Sequence, residues 1–575
     1  MHRQPALECP GLKQKDTVAH ALAKGLQRHG VTHIFGQSLP SLLILAAEEA
    51  GITQVAYRQE NAGGYMADAY ARLTGRPGVI TAQNGPAATL LVAPLAECMK
   101  ASVPVVALLQ EVARDQTDKN AFQEFDHPAL FASCAKWVRR VTDPARAEDY
   151  LDMAFTIACS GRPGPAVLLL PADLLLEPAV ASTRVANLGK YPLDRVMADP
   201  GRVEEAAAML ARAKRPLIIA GGGIHLSRAC SELAALQDEF SLPVATTVMG
   251  KGAVDERHPL SLGVVGYFMG PNSATRHLRP MVTEADTILL IGSRTNQNGT
   301  DSWSLYPKNA QYIHLDMAGE EIGRNYEAFR LQGDAKLTLA ALQGALRRHD
   351  TSTLKATRGE KEAMIAEGKA RGRAENEAVR TSGETPIRPE RIMEELNKRL
   401  TPESLVLSDA SYSSIWIANY LTAQKPGMRF ITPRGLAGLG WGLPYGMGAK
   451  VARPNAPVYT LVGDGGFAHV WAELETCVRM GLKLTCILIN NGILGYQKHA
   501  EHVKFGQHSS AVTFAPVDHA AIARACGAQG IRVTDPEKLN EAFDMAEKAE
   551  TMTLIEVMCT ENAYPPVSVF TPDAQ

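Results

Sequence analysis

The sequence predicts an α/β fold of three consecutive doubly wound domains, each built around a parallel sheet. At 575 residues the chain is long enough for about three or four domains, each with its own core. Short apolar runs alternate with amphipathic segments through most of the chain, as they do in strand–helix–strand units. The unit is clearest at 458–497, where two apolar runs flank one amphipathic segment.

The first domain is predicted to begin with a helix and a strand that ends in a glycine turn at 36–40. A short apolar strand ends just before Glu60, which therefore stands at a strand's carboxyl end. The helix that follows Asn84 carries Pro86 in its first turn, where proline is tolerated. The predicted elements of this domain are helices at 17–29 and 61–72 and strands at 32–35, 52–57, 79–82, 103–109 and 167–170.

The second and third domains show the same alternation of apolar runs and amphipathic segments, and a charged segment lies between them. A strand at 216–220 ends in three glycines, 221–223, which resemble a nucleotide-type turn, although such a run is more often only a tight turn. The segment 351–386 is rich in Lys, Arg and Glu and is typical of a solvated helix or connector. The other predicted elements are strands at 287–293, 311–316, 405–407, 458–462 and 484–489 and a helix at 467–480.

Polar side chains follow both strands of the clearest unit. Asp464 comes after the first apolar run and Asn491 after the second. Because the carboxyl ends of parallel neighbours lie on one edge of a sheet, both side chains are expected to face a single crevice. A carboxylate and an amide oxygen, with room for phosphate oxygens, suit Mg²⁺. Gly465 and Gly466 let backbone N–H groups approach an anion at the start of the next helix.

Composition excludes several classes of function. A net charge of -2, with 21% charged and 46% hydrophobic residues, is that of an ordinary globular protein and gives no attraction to nucleic acid or anionic membrane. The nine cysteines form no CxxC pair, which indicates reduced thiols and argues against zinc. Neither an apolar signal-peptide core nor an apolar window of about 18 residues is present, so we expect a cytoplasmic protein without a membrane or nucleic-acid partner.

Two separate patterns point to one family. The GDG at 463–465 with the Asn pair at 490–491 resembles the diphosphate-binding signature of thiamine-diphosphate enzymes, although alone it could be a glycine turn and an Asn–Gly loop. Near the other end, residues 58–72 resemble the family's stretch around its catalytic glutamate. Residues 84–89 resemble its NGPG segment, with alanine in place of the last glycine. The resemblance extends over roughly residues 16–565.

The resemblance implies the identity of each domain. It implies a pyrimidine-binding domain at 14–182, a central nucleotide-binding-like domain at 200–349, a diphosphate-binding domain at 385–563 and a C-terminal tail at 564–575. In this family the catalytic glutamate acts on a cofactor bound mainly by the other subunit. The smallest active species is therefore expected to be a homodimer, and a homotetramer is common among relatives.

The resemblance also assigns roles to residues. Glu60 is the catalytic acid that shares a proton with the cofactor's pyrimidine ring, although by position alone it could be a helix N-cap. Leu439 is the apolar wedge beneath thiamine diphosphate, although it could be ordinary core, and the Gly438 carbonyl holds the cofactor's amino group. The implied Mg²⁺ ligands are Asp464, Asn491 and the backbone oxygen of Ile493. The further implied cofactor-binding residues are Asn84, Ser413, Ser414, Gly463, Gly465, Gly466 and Leu494.

Two departures from the family pattern affect the cofactor assignment. Ser413 and Ser414 stand where acetolactate synthases carry His-Gln, and this stretch is more similar to benzaldehyde lyases and benzoylformate decarboxylases. Residues 292–298 lack the acidic pair of the flavin-binding members. In this family the central domain carries FAD, ADP or nothing. FAD therefore stays open for this chain and is not favoured.

The acetolactate synthase-like branch is favoured for the reaction. Residues 121–124 resemble a motif of that branch, in which Gln123 faces the bound intermediate, and 313–316 with 321–323 favour the same branch. The paired histidines of pyruvate decarboxylases are absent from 113–127, and His127 alone is assigned a structural role. We therefore expect a carboligase, dependent on thiamine diphosphate and Mg²⁺, that decarboxylates a 2-oxo acid such as pyruvate and adds the acyl unit to a second carbonyl.

Two alternatives remain open. One is a decarboxylase or lyase that acts on a larger 2-oxo acid, a 2-hydroxyacyl-CoA or sulfoacetaldehyde, because 83–86 also resembles the sulfoacetaldehyde acetyltransferase branch. The other is a non-catalytic nucleotide-binding regulator, which would have no need of Glu60. The choice of substrate is expected to depend on a pocket near the residues Ser38, Gln123, Tyr412, Leu494 and Gln497.

Overall fold

The structure, a computed structural model, describes residues 16–570. Its strands form three sheets of six strands each, and all strand pairs within the sheets are parallel, which confirms the predicted α/β class. The chain divides into two compact units, one ending at Asp194 and one beginning at Arg195. The predicted domain start at residue 14 and the tail residues 571–575 lie outside the described residues.

The first sheet belongs to the unit that ends at Asp194 and has the order β2-β1-β3-β4-β6-β5. Its strands are β1 (His33–Gly36), β2 (Thr53–Ala56), β3 (Gly78–Ala82), β4 (Val105–Glu111), β5 (Trp137–Arg140) and β6 (Ala166–Pro171). Its helices are α1 (Val18–Arg28), α2 (Ser41–Glu49), α3 (Glu60–Thr74), α4 (Pro86–Leu90), α5 (Val92–Ala101), α6 (His127–Phe131) and α7 (Ala147–Cys159). The order reverses between β1 and β3, so residues after these strands flank a crevice.

The second sheet has the order β12-β11-β10-β7-β8-β9. Its strands are β7 (Pro216–Ala220), β8 (Val244–Thr246), β9 (Ser261–Val264), β10 (Thr287–Ile291), β11 (Gln311–Asp316) and β12 (Phe329–Gln332). Its helices are α8 (Pro200–Arg212), α9 (Gly223–Ser227), α10 (Cys230–Glu239), α11 (Arg279–Thr283) and α12 (Ala335–Leu346). The charged segment that follows is helical, with α13 (Ser352–Ala356), α14 (Arg358–Glu375) and α15 (Glu377–Arg380).

The third sheet has the order β14-β13-β15-β16-β18-β17. Its strands are β13 (Leu405–Ser408), β14 (Arg429–Ile431), β15 (Val458–Gly463), β16 (Thr485–Asn490), β17 (Gln529–Val533) and β18 (Thr553–Met558). Its helices are α16 (Pro389–Arg399), α17 (Tyr412–Tyr420), α18 (Gly442–Ala452), α19 (Asp464–Phe467), α20 (Glu473–Arg479), α21 (Gly495–Phe505), α22 (His519–Ala525) and α23 (Leu539–Lys548). Its order reverses between β13 and β15. Among the described residues, no helix is both long enough and apolar enough to cross a bilayer.

Alternate residues of the central strands pack on opposite faces of the second sheet. In β10, Leu289 and Ile291 join one hydrophobic cluster with residues of α8, α10 and α12. Ile288 and Leu290 join a second cluster on the other face. Because both faces are covered, the strand is apolar throughout and shows no alternation of polar residues. This explains why such strands can be recognised in the sequence as continuous apolar runs.

The single helix predicted over 467–480 is wrong. Helical structure begins at Asp464 in the short α19, continues as a tight 3-10 turn at Ala468–Val470 and resumes only in α20. At the break the Trp471 indole N–H donates to His519 Nδ1 of α22 at 3.2 Å. This contact lies outside the segment itself, so the periodicity of residues 467–480 could not predict it.

Two of the three glycines after β7, Gly221 and Gly223, pack against the glycine turn at Gly292. The Gly221 N–H donates to the Ile291 carbonyl at 2.8 Å, and the Gly223 N–H donates to the Gly292 carbonyl at 3.1 Å. A Cβ at Gly221 would lie 2.2 Å from the Gly292 oxygen, and one at Gly223 would lie 2.6 Å from the Gly292 Cα. Close packing between the turns after β7 and β10 is thus sufficient reason for glycine here.

We predict that Gly223→Ala destabilises the protein by about 1–3 kcal/mol, because the added methyl group meets backbone that cannot move aside as a side chain can. Gly344→Ala is the matched control, since a Cβ there meets nothing within 4 Å and the site lies inside α12. The control should be neutral or stabilising by about 0.5–1 kcal/mol. Chemical and thermal unfolding of both variants measures the difference, and equal stability of the two would contradict the packing argument.

Candidate active site

A cavity of about 440 Å³ lies at the carboxyl edge of the third sheet, where the strand order reverses. Its size falls within the usual range of small-molecule sites. Residues that follow β13, β14, β15 and β16 all contribute to its wall. The lining includes Asp409, Ser413, Arg434, Leu439, Gly463, Asp464, Gly465, Gly466, Asn491, Ile493 and Leu494.

Asp464 and Asn491 both line this cavity, as their strand-end positions predict. The loops that carry them are joined directly, because Asp464 Oδ2 accepts a hydrogen bond from the Gly492 N–H at 2.7 Å. Asn490, at the end of β16, instead donates its side-chain amide to buried Glu556 at 2.6 Å. Successive strand residues point to opposite faces, so only the second asparagine of the pair reaches the cavity.

The environment of Asp464 suits a bound cation. Burial raises the pKa of the Asp464 carboxyl to about 6, against the opposing effect of hydrogen bonds from backbone N–H groups. A divalent cation beside the carboxyl would favour its ionised form. The Asn491 amide and Ile493 line the same cavity, so oxygen donors of the kind that Mg²⁺ prefers are at hand.

The floor of the cavity is backbone without side chains. A Cβ at Gly465 would lie 2.9 Å from Phe514 and 3.0 Å from Leu494, and one at Gly466 would lie 2.1 Å from an Asp409 oxygen. Both positions therefore exclude any larger residue. The two glycines lie in the first turn of α19, directly after β15, where N–H groups can approach the oxygens of a phosphate group.

Asp409 is a structurally important residue that the motifs did not identify. Its Oδ1 accepts hydrogen bonds from the N–H groups of Trp441 at 2.6 Å and Gly442 at 2.7 Å. Burial raises the pKa of this carboxyl to about 6, although the backbone donors oppose the shift. Asp409 thus fixes the end of the glycine-rich strip that carries Leu439. Its place directly after β13, equivalent to that of Asp464 near the end of β15, is the signal that could have identified it.

The other residues expected in this part of the chain separate into two groups. Ser413, Leu439, Gly463 and Leu494 line the cavity, whereas Ser414 and Gly438 are not among its lining residues. The Ser414 hydroxyl donates to the Ser411 carbonyl at 2.7 Å and accepts a hydrogen bond from Arg434. Ser414 is fully buried, so its hydroxyl is less able than that of Ser413 to contact a bound anion.

One wall of the cavity is aromatic and amide-rich. Tyr412 and Gln497, which the sequence placed in the substrate pocket, do line the cavity. The lining residues that were not identified as site residues from the sequence include Tyr267, Asn298, Arg434 and Tyr496. Tyr267 and Asn298 come from the second sheet's domain, and no local motif marks them. Arg434 follows the apolar strand β14, so its strand-end position was again the available signal.

The Tyr412 hydroxyl is hydrogen-bonded to a buried histidine, His499. Burial lowers the pKa of His499 to about 4, so its ring is neutral near pH 7. His499 Nε2 lies 3.1 Å from the Glu561 carbonyl, to which it must donate, which leaves Nδ1 to accept from Tyr412. The ring of Tyr564 stacks on His499 at 3.8 Å. Tyr412 therefore presents its ring, rather than a free hydroxyl, to this wall.

The unit that ends at Asp194 holds the other candidate residues. Glu60 is the first residue of α3 and is half-buried within this unit. Asn84 is buried and donates its side-chain amide to the Gln123 carbonyl at 3.0 Å. The Gln123 side-chain oxygen accepts from Gln83 at 2.6 Å, and Gln123 itself has a φ of +61°. The turn after β3 and the 121–124 loop are thus interlocked.

His127 positions the same turn. Its Nε2 accepts a hydrogen bond from the Gly85 N–H at 3.1 Å, so its proton is assigned to Nδ1, which faces Glu111 at 3.2 Å. Glu111 also accepts from Arg140 at 3.0 Å, and these hydrogen bonds lower its pKa although burial opposes the shift. The histidine therefore belongs to a buried chain of hydrogen bonds that holds the backbone beside Asn84.

Comparison with known proteins identifies relatives of all three sheets. Residues 16–130 match a model described as the thiamine pyrophosphate enzyme, N-terminal TPP binding domain. Residues 203–342 match the central domain of the same enzymes, and residues 409–557 match their C-terminal TPP binding domain.

Full-length relatives share about the same level of identity. The chain is 30% identical over 554 residues to a probable acetolactate synthase large subunit of Methanococcus aeolicus, which covers 94% of this chain and 91% of the relative. It is 30% identical over 557 residues to the acetolactate synthase isozyme 2 large subunit of Escherichia coli (strain K12), with 95% and 96% covered. It is 31% identical over 568 residues to the acetolactate synthase large subunit of Parasynechococcus marenigrum (strain WH8102), with 96% and 89% covered.

Proposed function

The chain belongs to the thiamine pyrophosphate enzyme family, and on that premise we propose that it is an acetolactate synthase-like carboligase. The reaction is the decarboxylation of a 2-oxo acid, pyruvate in the first instance, and transfer of the remaining acyl unit to a second carbonyl compound. One observation carries the proposal: a cavity lined by Asp464, Asn491 and two glycines lies at the strand-order reversal of a chain related over nearly its whole length to acetolactate synthases.

The residues of the cavity fit thiamine diphosphate with Mg²⁺. When bound, this cofactor supplies the carbon nucleophile that 2-oxo acid chemistry requires. We propose that Asp464, Asn491 and the Ile493 carbonyl hold the cation, and that the cofactor's diphosphate lies against Gly463, Gly465, Gly466 and Ser413. Leu439 and Leu494 line the cavity. Leu439 is proposed as the apolar support for the cofactor rings with Leu494 beside them, and the Gly438 carbonyl is proposed to hold the cofactor's amino group.

We propose that Glu60 shares a proton with the cofactor, that Asn84 contacts the cofactor, and that Gln123 faces the bound intermediate. The interlocked turn and loop support this, because they hold Asn84 and Gln123 in one place.

The proposed active species is a homodimer at minimum, assembled as a homotetramer, and a fully active monomer in sedimentation experiments would contradict it. We place the protein in the cytoplasm, since the cysteines of the described part are all free thiols.

We propose that the central domain binds no flavin. Gly221 and Gly223 are accounted for by packing against the Gly292 turn, so they need no nucleotide to explain them. In the segment 292–298, Thr295 accepts hydrogen bonds from Trp303 and Asn325, and its buried carbonyl is thereby occupied. Absorbance of the purified protein in the flavin region would overturn this part of the proposal.

Incubation with pyruvate, thiamine diphosphate and Mg²⁺ tests the proposed reaction. We expect acetolactate, with one CO₂ released for every two pyruvate molecules consumed, because the acyl unit is transferred rather than protonated. Mass spectrometry of the product and a CO₂ assay measure both quantities. Acetaldehyde as the only product would favour the alternative decarboxylase function, and no turnover of pyruvate would reject the carboligase.

Glu60→Gln is predicted to lower kcat at least about a hundredfold, because the amide cannot take up and return a proton. Its affinity for thiamine diphosphate should stay nearly unchanged, since the side chain keeps its shape. Glu48→Gln, at an exposed position on α2, is the control and should retain full activity. Steady-state kinetics and calorimetric titration with the cofactor measure the two quantities. Near-normal turnover in Glu60→Gln would contradict the assignment of Glu60 as the catalytic acid.

Asp464→Ala is predicted to weaken Mg²⁺-dependent binding of thiamine diphosphate by about a hundredfold or more, since it removes the carboxylate from the proposed cation site. Asp518→Ala, which removes the exposed N-cap carboxylate of α22, is the control. Titration with and without a chelator separates the cation-dependent part of the affinity. Unchanged Mg²⁺ dependence in Asp464→Ala would refute the metal site.

A further inference from the structure

Gln123 has a backbone conformation that its residue type rarely adopts. Its φ of +61° lies in the left-handed region, where the Cβ of an L-residue is crowded by neighbouring backbone. Asp118 and Asn120, in the same loop, have φ values of +63° and +55°. Aspartate and asparagine tolerate this region because their short side chains bond locally, whereas glutamine lacks that advantage. Contacts from elsewhere must therefore hold Gln123 in the 118–124 loop.

The carboxylate of Glu124 closes this loop on itself. Glu124 Oε1 accepts a hydrogen bond from the Asp118 N–H at 2.6 Å, and Oε2 accepts one from the Ala121 N–H at 3.0 Å. These backbone N–H groups lower the pKa of the Glu124 carboxyl, so it is ionised near pH 7. Hydrogen bonds to an ionised acceptor are stronger than those between neutral groups. One side chain thus joins the start of the loop to its end.

The turn after β3 holds Gln123 from the other side. Gln83 donates to the Gln123 side-chain oxygen at 2.6 Å, and Asn84 donates to the Gln123 carbonyl at 3.0 Å. A Cβ at Gly85 would lie 2.8 Å from the Gln123 Cβ, so the two segments are in close contact. Two sets of contacts therefore determine where Gln123 lies, one from this turn and one from Glu124.

We propose that Glu124 is a positioning residue that acts through Gln123. This inference rests on the proposed function, in which Gln123 faces the bound intermediate, and it adds a residue to that site. The ionised carboxylate fixes the backbone at 118–121, and that backbone keeps Gln123 in its left-handed conformation against the turn after β3. Both oxygens of Glu124 are used by the loop, so Glu124 is assigned no contact with the substrate.

A neutral amide at position 124 cannot replace the carboxylate. Glutamine has one acceptor oxygen, and its N–H₂ group would face one of the two backbone N–H donors of the loop. One donor would lose its partner, and the loop would gain other conformations. Gln123 would then be correctly placed for part of the time only. Because Gln123 is proposed to face the intermediate, the loss should fall on kcat more than on KM.

Glu124→Gln in the full-length protein with thiamine diphosphate and Mg²⁺ provides the first test. We expect kcat with pyruvate to fall about tenfold, as for loss of one charge-assisted hydrogen bond. KM should change by less than about twofold. Hydrogen–deuterium exchange of the backbone amides of Asp118 and Ala121 should become faster, because one or both lose their acceptor.

Asp143→Asn is the matched control. The Asp143 side chain is exposed and accepts a hydrogen bond from the Ala145 N–H at 2.9 Å, so it also caps a turn in the unit that ends at Asp194. It lies outside the 118–124 loop. This variant should keep the kcat of the unmodified protein and its exchange at residues 118 and 121.

A double variant separates positioning from general stabilisation. Gln123→Ala removes the side chain through which Glu124 is proposed to act. Adding Glu124→Gln to Gln123→Ala should therefore lower kcat by less than about twofold further, since no side chain is left to position. A merely structural role would multiply the two single effects instead.

Each other outcome overturns the proposal in a recognisable way. Unchanged kcat in Glu124→Gln, even with faster exchange, would show that the capped loop has no part in the reaction. Multiplied effects in the double variant would remove the link to Gln123. If Glu124→Gln fails to fold, Glu124→Asp replaces it, because its shorter side chain cannot reach both N–H groups. Absence of pyruvate turnover in the unmodified protein would reject the proposed function and the positioning role with it, whereas the exchange measurement would still test the capping of the loop.

Discussion

The parallel strands of the third sheet all present their carboxyl ends at one edge, and the reversal of strand order between β13 and β15 opens a crevice there. Asp409, Asp464 and Asn491 are distant in sequence, yet each comes within a residue or two of a strand end, so the sheet brings them to one cavity. Because the strands are buried on both faces, their positions are fixed by the core on either side. The sheet, rather than the loops, therefore fixes the positions of the site residues.

Backbone groups supply much of the site's geometry, and buried carboxyls hold that backbone in place. Asp409 accepts from the N–H groups of Trp441 and Gly442, and Asp464 accepts from that of Gly492. A buried N–H left without a partner costs about 1–3 kcal/mol, so each carboxyl removes an appreciable cost from the loop that it anchors. In the unit that ends at Asp194, His127 serves the turn at Gly85 in the same way.

Charged side chains of opposite sign occupy different parts of the cavity lining. The carboxyls of Asp409 and Asp464 directly follow β13 and β15, and Gly465 and Gly466 lie beside them. The guanidinium of Arg434 follows β14 and contacts the hydroxyl groups of Tyr267, in the central domain, and Ser414. The two kinds of charge are therefore carried by different elements of the chain.

The amino-acid sequence by itself determined the α/β class, most of the central strands and the pair Asp464 and Asn491. Buried parallel strands are continuously apolar, and each of these two residues directly follows such a strand in the chain. Only the tertiary structure decided which residues complete the site. At the break between α19 and α20, Trp471 contacts His519, and the side chain of Arg434 contacts residues 267, 268 and 414. Such contacts join segments far apart in sequence, and no local pattern of hydrophobicity or spacing encodes them.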